Sequence, residues 1–382
     1  MGWLVYQMTG SAFLLGFVSF STQIPSLVLS PVAGTLADRW NRHHILVVTQ
    51  TLSMIQAFIL AALVLTGNVA VWQVVVLGLF LGVVNSFDGP TRQSFTIDIV
   101  ESKEDLGNAI ALNSAMFNGA RLIGPSVAGM LLVVVGEGVC FFLNGVSFLA
   151  VIGALLAMRL PPGRQATRHD SVWSGLKEGL RYAWDFPPIR ALLLLVGCVS
   201  LVAMPYAVLM PIFASEILHG GPDSLGFLMA ATGVGALAGA AFLASRREVA
   251  KLWSLIVLAS FLFGIGLIGF SLSRTFFLSS AFLMVIGFGL MVQNVGANTL
   301  LQTIVEDDKR GRVMSLYMMS FLGMAPLGSL LAGSVAESIG APATILIGGS
   351  MVIIVAAIFA SRVPSLRQSV QPILARLDAV GK

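Results

Sequence analysis

Residues Pro161–Arg190 read PPGRQATRHDSVWSGLKEGLRYAWDFPPIR, the longest polar stretch of an otherwise apolar chain. Pro161-Pro162-Gly163 and Pro187-Pro188 stand at its ends, and such clusters interrupt regular structure. Between them Val172, Trp173, Leu176, Leu180 and Trp184 recur at helical spacing with Lys177 and Arg181 alongside. This predicts an amphipathic helix over 171–184 lying on a membrane surface. What flanks the stretch decides the fold. Charge-free runs lie upstream at 1–37, 43–87, 122–136 and 138–158, and downstream at 191–215, 224–245, 252–273, 275–305, 313–336 and 338–361. A helix needs ~20 apolar residues to cross a bilayer, and most of these runs exceed that.

Turn residues subdivide the longer runs. Thr9-Gly10 separates a short stub from a span at 11–36, and Thr66-Gly67-Asn68 separates spans at 45–66 and 69–92. Leu106–Gly136 reads as one long helix interrupted by a single charge, Arg121. The composition agrees: of 382 residues 57% are hydrophobic and 10% charged, with a mean hydropathy of +0.91. A soluble domain carries about a quarter charged residues, so soluble enzymes and nucleic-acid readers are excluded despite a pI near 9.3. At ~30 residues per span and connection the chain holds about a dozen helices. The runs lack the alternation of a membrane barrel. The expected fold is an all-α polytopic membrane protein.

Basic residues set the topology. With the segments after spans ending near 36, 92, 160, 245 and 303 and the C-terminal tail placed inside, every Lys and Arg of the 22 falls inside except Arg121 and Arg274. By the positive-inside rule the C-terminus is then cytoplasmic. This orientation puts the start of the span at 11–36 outside, so a helix should precede it. Gly2–Met8 supplies only its last turn or two, at ~1.5 Å per residue. The expectation is that helix one is largely missing, either because the chain begins at an internal Met or because this form lacks that helix. MGWLVYQMTG has neither a basic region nor a small-residue cleavage site, so a cleavable signal peptide is not expected.

The chain also repeats itself. A shift of 204 residues pairs Gly107 with Gly311, Gly119 with Gly323, Gly124 with Gly328, Ala128 with Ala332 and Gly129 with Gly333. A shift of 209 pairs Asn85 with Asn294, Gln93 with Gln302 and Asp98 with Asp307. Two parallel halves meeting at a central pathway are a transporter architecture. The expected organisation is a bundle at 1–160 (the stub and helices two to six), a linker at 161–190, a bundle at 191–361 (helices seven to twelve) and a tail at 362–382.

Gly34-Thr35-Leu36-Ala37-Asp38-Arg39-Trp40-Asn41-Arg42-His43 resembles the G-x-x-x-D-R-x-x-R-[RK] motif of the major facilitator superfamily, with His43 where a second basic residue is usual. Gly2–Tyr6, Asp88–Gln93, Ala120–Pro125 and Arg310–Tyr317 are similar to segments of its enterobactin-exporter-like, transmembrane secretion effector branch. The resemblance covers nearly the whole chain and departs at the start, where the family continues upstream. It implies two six-helix halves, alternating access, and export of a small molecule driven by an ion gradient, usually protons. It also implies that Asp38 meets the helix start near Gly311 in a gate motif of Gly34, Asp38, Arg39, Arg42, Arg92 and Gly311. The alternative is that Arg39, Arg42 and His43 merely set topology.

A second set of residues could serve the substrate cavity or coupling. Arg121 is a lone charge deep in a span, a placement costing at least ~2.5 kcal/mol unless it faces protein or water. Asn118 shares its face and Asn113 lies nearer the inner end. Asp88 is either a partner for Arg121 or an ordinary i,i+4 pair with Arg92. Asn294, Asn298 and Gln302 form one stripe, with Asn85 the repeat-mate of Asn294. The stripe either lines the cavity or joins helices by hydrogen bonds. Gly124–Gly129, Gly235-x-x-x-Gly239 and Gly323–Gly333 read as close-packing faces, and Glu216 and His219 as solvated groups near an outer end. The 24 Phe and 16 Met suit a bulky lipophilic substrate or simply face lipid.

Other chemistry is not expected. Cys140 and Cys198 sit in apolar runs and read as small hydrophobes. There is no G-x-x-x-x-G-K-[ST] phosphate loop, the four His lack metal spacing within a span, and no nucleophile–base set is apparent. The reading is a non-enzymatic, cofactor-free and metal-free monomer in a bacterial inner membrane. It exports a siderophore, drug or other small amphipathic molecule in exchange for protons, and binds no nucleic acid. Import or lipid flipping on the same fold, and a non-transporting truncated scaffold, are the alternatives.

Overall fold

A computed structural model describes residues 1–99, 106–158, 172–246 and 251–380. Among them the chain is helical: α1 (Gly2–Thr9), α2 (Ala12–Arg39), α3 (Arg42–Leu65), α4 (Val71–Ile99), α5 (Leu106–Ala157), α6 (Val172–Asp185), α7 (Pro187–Val202), α8 (Tyr206–Ile212), α9 (Pro222–Ala244), α10 (Leu252–Leu272), α11 (Phe276–Ile304), α12 (Asp307–Met318), α13 (Met324–Ile339) and α14 (Ala341–Val380). Among the described residues ten stretches are long and apolar enough to cross a membrane. One of them, Ile123–Ala157, contains a reversal at Gly136, where φ is 76° and ψ is 171°. Only glycine adopts that conformation readily, so α5 is two antiparallel helices joined by one residue. Counted this way, there are eleven crossings and the stub α1.

The expected punctuation appears where turn chemistry demands it. Gly10 ends α1 in the left-handed region (φ 62°), its N–H reaching the Tyr6 carbonyl at 2.8 Å. Asn41 caps α3, its side chain accepting from the His44 N–H at 3.3 Å. His43 Nε2 meets the Leu155 carbonyl at 2.8 Å and so ties the start of α3 to the end of α5. The amphipathic linker helix is α6, displaced by one residue from expectation.

Two crossings are less regular than expected. The run at 191–215 is not one helix: α7 stops at Val202, α8 follows Pro205, and a π-helical turn spans Phe213–Ile217. Pro205 and Pro211 lack the N–H an α-helix needs, and the Leu218 N–H reaches back five residues to Phe213 at 2.9 Å. A second π turn, Met319–Gly323, joins α12 to α13 just before Pro326. Past the end of the charge-free run at 361, α14 continues as one helix to Val380.

The helices form two groups. In the first, α2 packs on α4 and α3 on α4 and on the second half of α5; in the second, α9 and α10 pack on α11, and α10 on α14. Trp253, Phe263, Phe270, Leu283 and Ile286 are fully buried in the second group. Outward-facing apolar residues such as Phe277 (86% exposed) and Val134 (80% exposed) give the exterior a lipid-facing character. Two seams join the groups, α2 on α13 and the first half of α5 on α9. Each is a glycine pair. A Cβ on Gly129 would stand 2.6 Å from the Pro222 carbonyl and 3.0 Å from the Gly226 Cα, and one on Gly16 would run into the Ser329 carbonyl and stand 2.9 Å from the Gly333 Cα. The 204-residue repeat that pairs Gly129 with Gly333 thus pairs the two seams. Both lie toward the end of the bundle bearing the turns at Gly10, Gly136 and Gly340, here termed the far end. Arg42, Arg92, Arg190, Arg246 and Lys309–Arg312 mark the opposite, basic end.

Candidate functional site

The site residues predicted from sequence separate into three groups. Gly34, Asp38 and Arg39 lie in α2, and Asn113, Asn118 and Arg121 in α5, but their side chains fall outside the described residues. At the basic end of the first group, Asp88 is held from two helices. Its Oδ1 accepts from Thr49 Oγ1 at 2.9 Å and Gln50 Nε2 at 2.8 Å on α3. Arg92, one turn on, donates from Nε at 3.1 Å and Nη2 at 3.0 Å to Oδ2. Of the two readings for Asp88, the geometry brings together the i,i+4 pair and adds a tether to α3. The Asp88 side chain is 15% exposed and that of Arg92 53%. Thr49, Ser53 and Gln56 occupy one buried face of α3; their i, i+4, i+7 spacing was a legible polar stripe that sequence reasoning passed over. Asn85, one turn before Asp88, is exposed.

At the basic end of the second group, Gly311 sits in the first turns of α12, exposed and facing open space; in the first group Arg42 opens α3, half-buried. The charges around Gly311 are engaged by the linker. Arg312 Nη1 donates to Glu178 of α6 at 2.7 Å, and Lys309 lies 4.7 Å from the Tyr182 ring and 3.2 Å from Glu306. Gly179 packs against Arg312, whose Cβ would stand 2.9 Å from an added methyl. One face of the amphipathic helix therefore belongs to α12, and Leu180, Arg181 and Trp184 stay exposed on the other. Arg310 Nε donates to the Gln302 carbonyl at 3.1 Å, closing the α11–α12 corner.

The polar stripe of α11 runs along this corner. Asn294 is buried, donates to the Leu290 carbonyl at 3.0 Å, and offers its own carbonyl to Tyr317 Oη at 3.0 Å. Gln302 donates to Asn298 Oδ1. The Asn294 side chain thus bonds within α11, the link to Tyr317 being made by its backbone carbonyl, and Gln302 is exposed. Gln293 is fully buried with neither amide atom bonded.

A further set of contacts was not anticipated. At the far end Tyr6 Oη donates to Glu216 Oε1, linking α1 to the π turn after α8. Glu337, at the end of α13, accepts from Ser11 Oγ at 3.1 Å and from the Phe13 N–H at 2.9 Å. Glu216 was read as a solvated group, and a charge near a span end gives no other sign in sequence. Of the small-residue faces, Gly129 and Gly235 are tightly packed, whereas Gly124 faces open space. No group of three or more His, Cys, Asp or Glu that could hold a metal occurs among the described residues.

Comparison with known proteins places this architecture. The chain is 26% identical to the staphyloferrin A transporter of Staphylococcus aureus over 363 residues, covering 94% of this chain and 90% of the relative. It is 25% identical to the multidrug efflux pump Tap of Mycolicibacterium fortuitum, with 96% and 91% covered, and 24% identical to macrolide efflux protein A of Streptococcus pyogenes, with 92% and 87% covered. Among solved structures, the nucleoside transporter NupG superposes with a TM-score of 0.68 at 14% identity, covering 94% of this chain and 92% of that one. A bacterial homolog of the lysosomal transporter Spinster, inward-facing and unoccupied, gives 0.60 at 15%, with 95% and 96% covered. These two likenesses speak to fold alone. The family described as transmembrane secretion effector matches residues 1–376. With two helical groups meeting at paired seams and that match spanning nearly its whole length, the chain belongs to the transmembrane secretion effector family of major facilitator transporters.

Proposed function

We propose that this protein is a secondary active exporter of a small amphipathic molecule, of the siderophore or drug class, driven by the proton gradient and working by alternating access. The observation that carries this reading is the pair of glycine seams. Among the described residues they join the two groups of helices toward the far end through pseudo-equivalent close contacts, an arrangement suited to rocking about the middle. Relatives named for staphyloferrin A, macrolide and multidrug transport support the substrate class. The distribution of Lys and Arg supports a cytoplasmic basic end and C-terminus. In this reading Asp38 joins Gly311 and its neighbours when the basic end closes, because a helix start favours a carboxylate. Arg121, a cation within a span, faces the cavity and meets an anionic group.

The test is flux in everted vesicles with an imposed pH gradient, using a radiolabelled macrolide and a fluorescent lipophilic dye. Expected is gradient-dependent accumulation that a protonophore abolishes. Accumulation that the protonophore leaves untouched would remove the coupling, and uptake into right-side-out vesicles instead would reverse the direction. Asp38→Asn is expected to cut flux by roughly tenfold or more with folding intact, since it removes the charge from the motif. Arg121→Gln is expected to change half-saturating substrate concentration or proton dependence; a silent Arg121→Gln would take it out of the site.

A further inference from the structure

The N-terminus of α2 has no acidic residue in its first turn, and its first N–H groups have no partner inside the helix. Its own Ser11 hydroxyl accepts from the Leu14 N–H at 3.2 Å. The negative charge that stabilises such a helix end comes from the other half of the molecule: Glu337 of α13 accepts from the Phe13 N–H at 2.9 Å and Ser11 Oγ at 3.1 Å. A second carboxylate of that half, Glu216, accepts from Tyr6 Oη. It sits in a π-helical turn, an irregularity that redirects side chains at functional positions. Directly below Glu337 lie the Gly16–Gly333 contact and Ser19 Oγ, 3.4 Å from Ser329 Oγ.

Among the described residues the other seam carries no such device. Val133 stands where the 204-residue repeat would put the counterpart of Glu337, and it is 58% exposed. The helix facing that seam, α9, has its own first-turn acid, Asp223. Close packing is therefore common to both seams, and the carboxylate clasp belongs to one.

We propose that Glu337, assisted by Glu216, is a positioning residue of the transport cycle: together they clasp the two halves at the far end through Ser11, the Phe13 N–H and Tyr6, and the clasp must part for that end to open. This rests on the chain being a transporter, and holds whichever compound is carried and in whichever direction.

The test uses the full-length protein in lipid nanodiscs, where neither orientation nor coupling enters. Cys140 and Cys198 are replaced by Ala, and Ser19→Cys reports the seam through its rate of reaction with a maleimide dye. Expected is an increase of about tenfold in Glu337→Ala, the population shift that one charge-assisted hydrogen bond carries. Glu337→Gln, which keeps an acceptor without the charge, gives a smaller rise, and Tyr6→Phe a smaller rise still. Thr66→Cys, exposed at the same end but away from the seam, reacts at an unchanged rate. Ser19→Cys labelling within about twofold of the parent in both Glu337→Ala and Tyr6→Phe would overturn the proposal. So would an equal rise at Ser260→Cys, a fully buried position, because it would mean general loosening rather than an opened clasp.

Discussion

Gly235→Ala is expected to prevent accumulation of folded protein, whereas Gly124→Ala, one of the other small residues in the chain's glycine-rich faces, leaves stability within about 0.5 kcal/mol of the parent. The added methyl at Gly235 would run into the Met284 carbonyl of α11, and reciprocally one at Gly287 would strike the Thr232 carbonyl of α9. Both obstacles are backbone, which cannot rotate away as a side chain can. Relief requires α9 and α11 to separate along their length, at the ~1–3 kcal/mol typical of overpacking or more. Gly124 faces open space, and in a helix alanine is favoured over glycine by up to ~1 kcal/mol. The check is detergent-solubilised yield and unfolding midpoint of both variants. Equal behaviour of the two would mean that the α9–α11 contact is not rigid.

Asp88→Ala is expected to lower stability by about 3 kcal/mol, because it removes the mostly buried acceptor that satisfies donors on two helices. Thr49, Gln50 and Arg92 would all lose their common acceptor. Arg92→Ala is expected to cost less than about 1 kcal/mol, since its side chain is half exposed. Asp88→Asn keeps an acceptor for the α3 donors and falls between. Unfolding midpoints of the three variants give this order. If Arg92→Ala proves as damaging as Asp88→Ala, the tether to α3 is not the main role of the carboxylate.

The sequence was most legible where chemistry is local. Gly10, Gly67 and Gly136 end helices because their backbone conformations admit little else, and the spacing of Leu176, Leu180 and Trp184 sufficed for α6. The division of one crossing into α7, α8 and a π turn was less accessible. Pro205 and Pro211 were visible, but whether a proline bends, breaks or bulges a helix depends on what packs beside it. The site residues divide by the same rule. Arg92 and Asp88 share a helix face, so one of their two readings was available from spacing. Thr49 and Gln50 meet Asp88 only through tertiary packing, although their polarity in an apolar span was a sign. Tyr6 and Glu216 lie 210 residues apart and Ser11 and Glu337 326 residues apart, each pair across the two halves, and no local pattern joins them.

The single-residue joint at Gly136 has a mechanical meaning. The helix before it forms the seam with α9 through Gly129, and the helix after it leans on α3, where Gly138 meets Leu65 and Gly145 meets Phe58. A longer loop would let these two helices slide independently. One glycine does not supply that slack, so the pair acts as a bell crank with its fulcrum at the far end. A tilt of the seam helix is therefore expected to load α3, whose Thr49 and Gln50 hold the carboxylate of Asp88 at the basic end. The single-residue connection thus ties the seam to the basic end through one continuous chain of contacts.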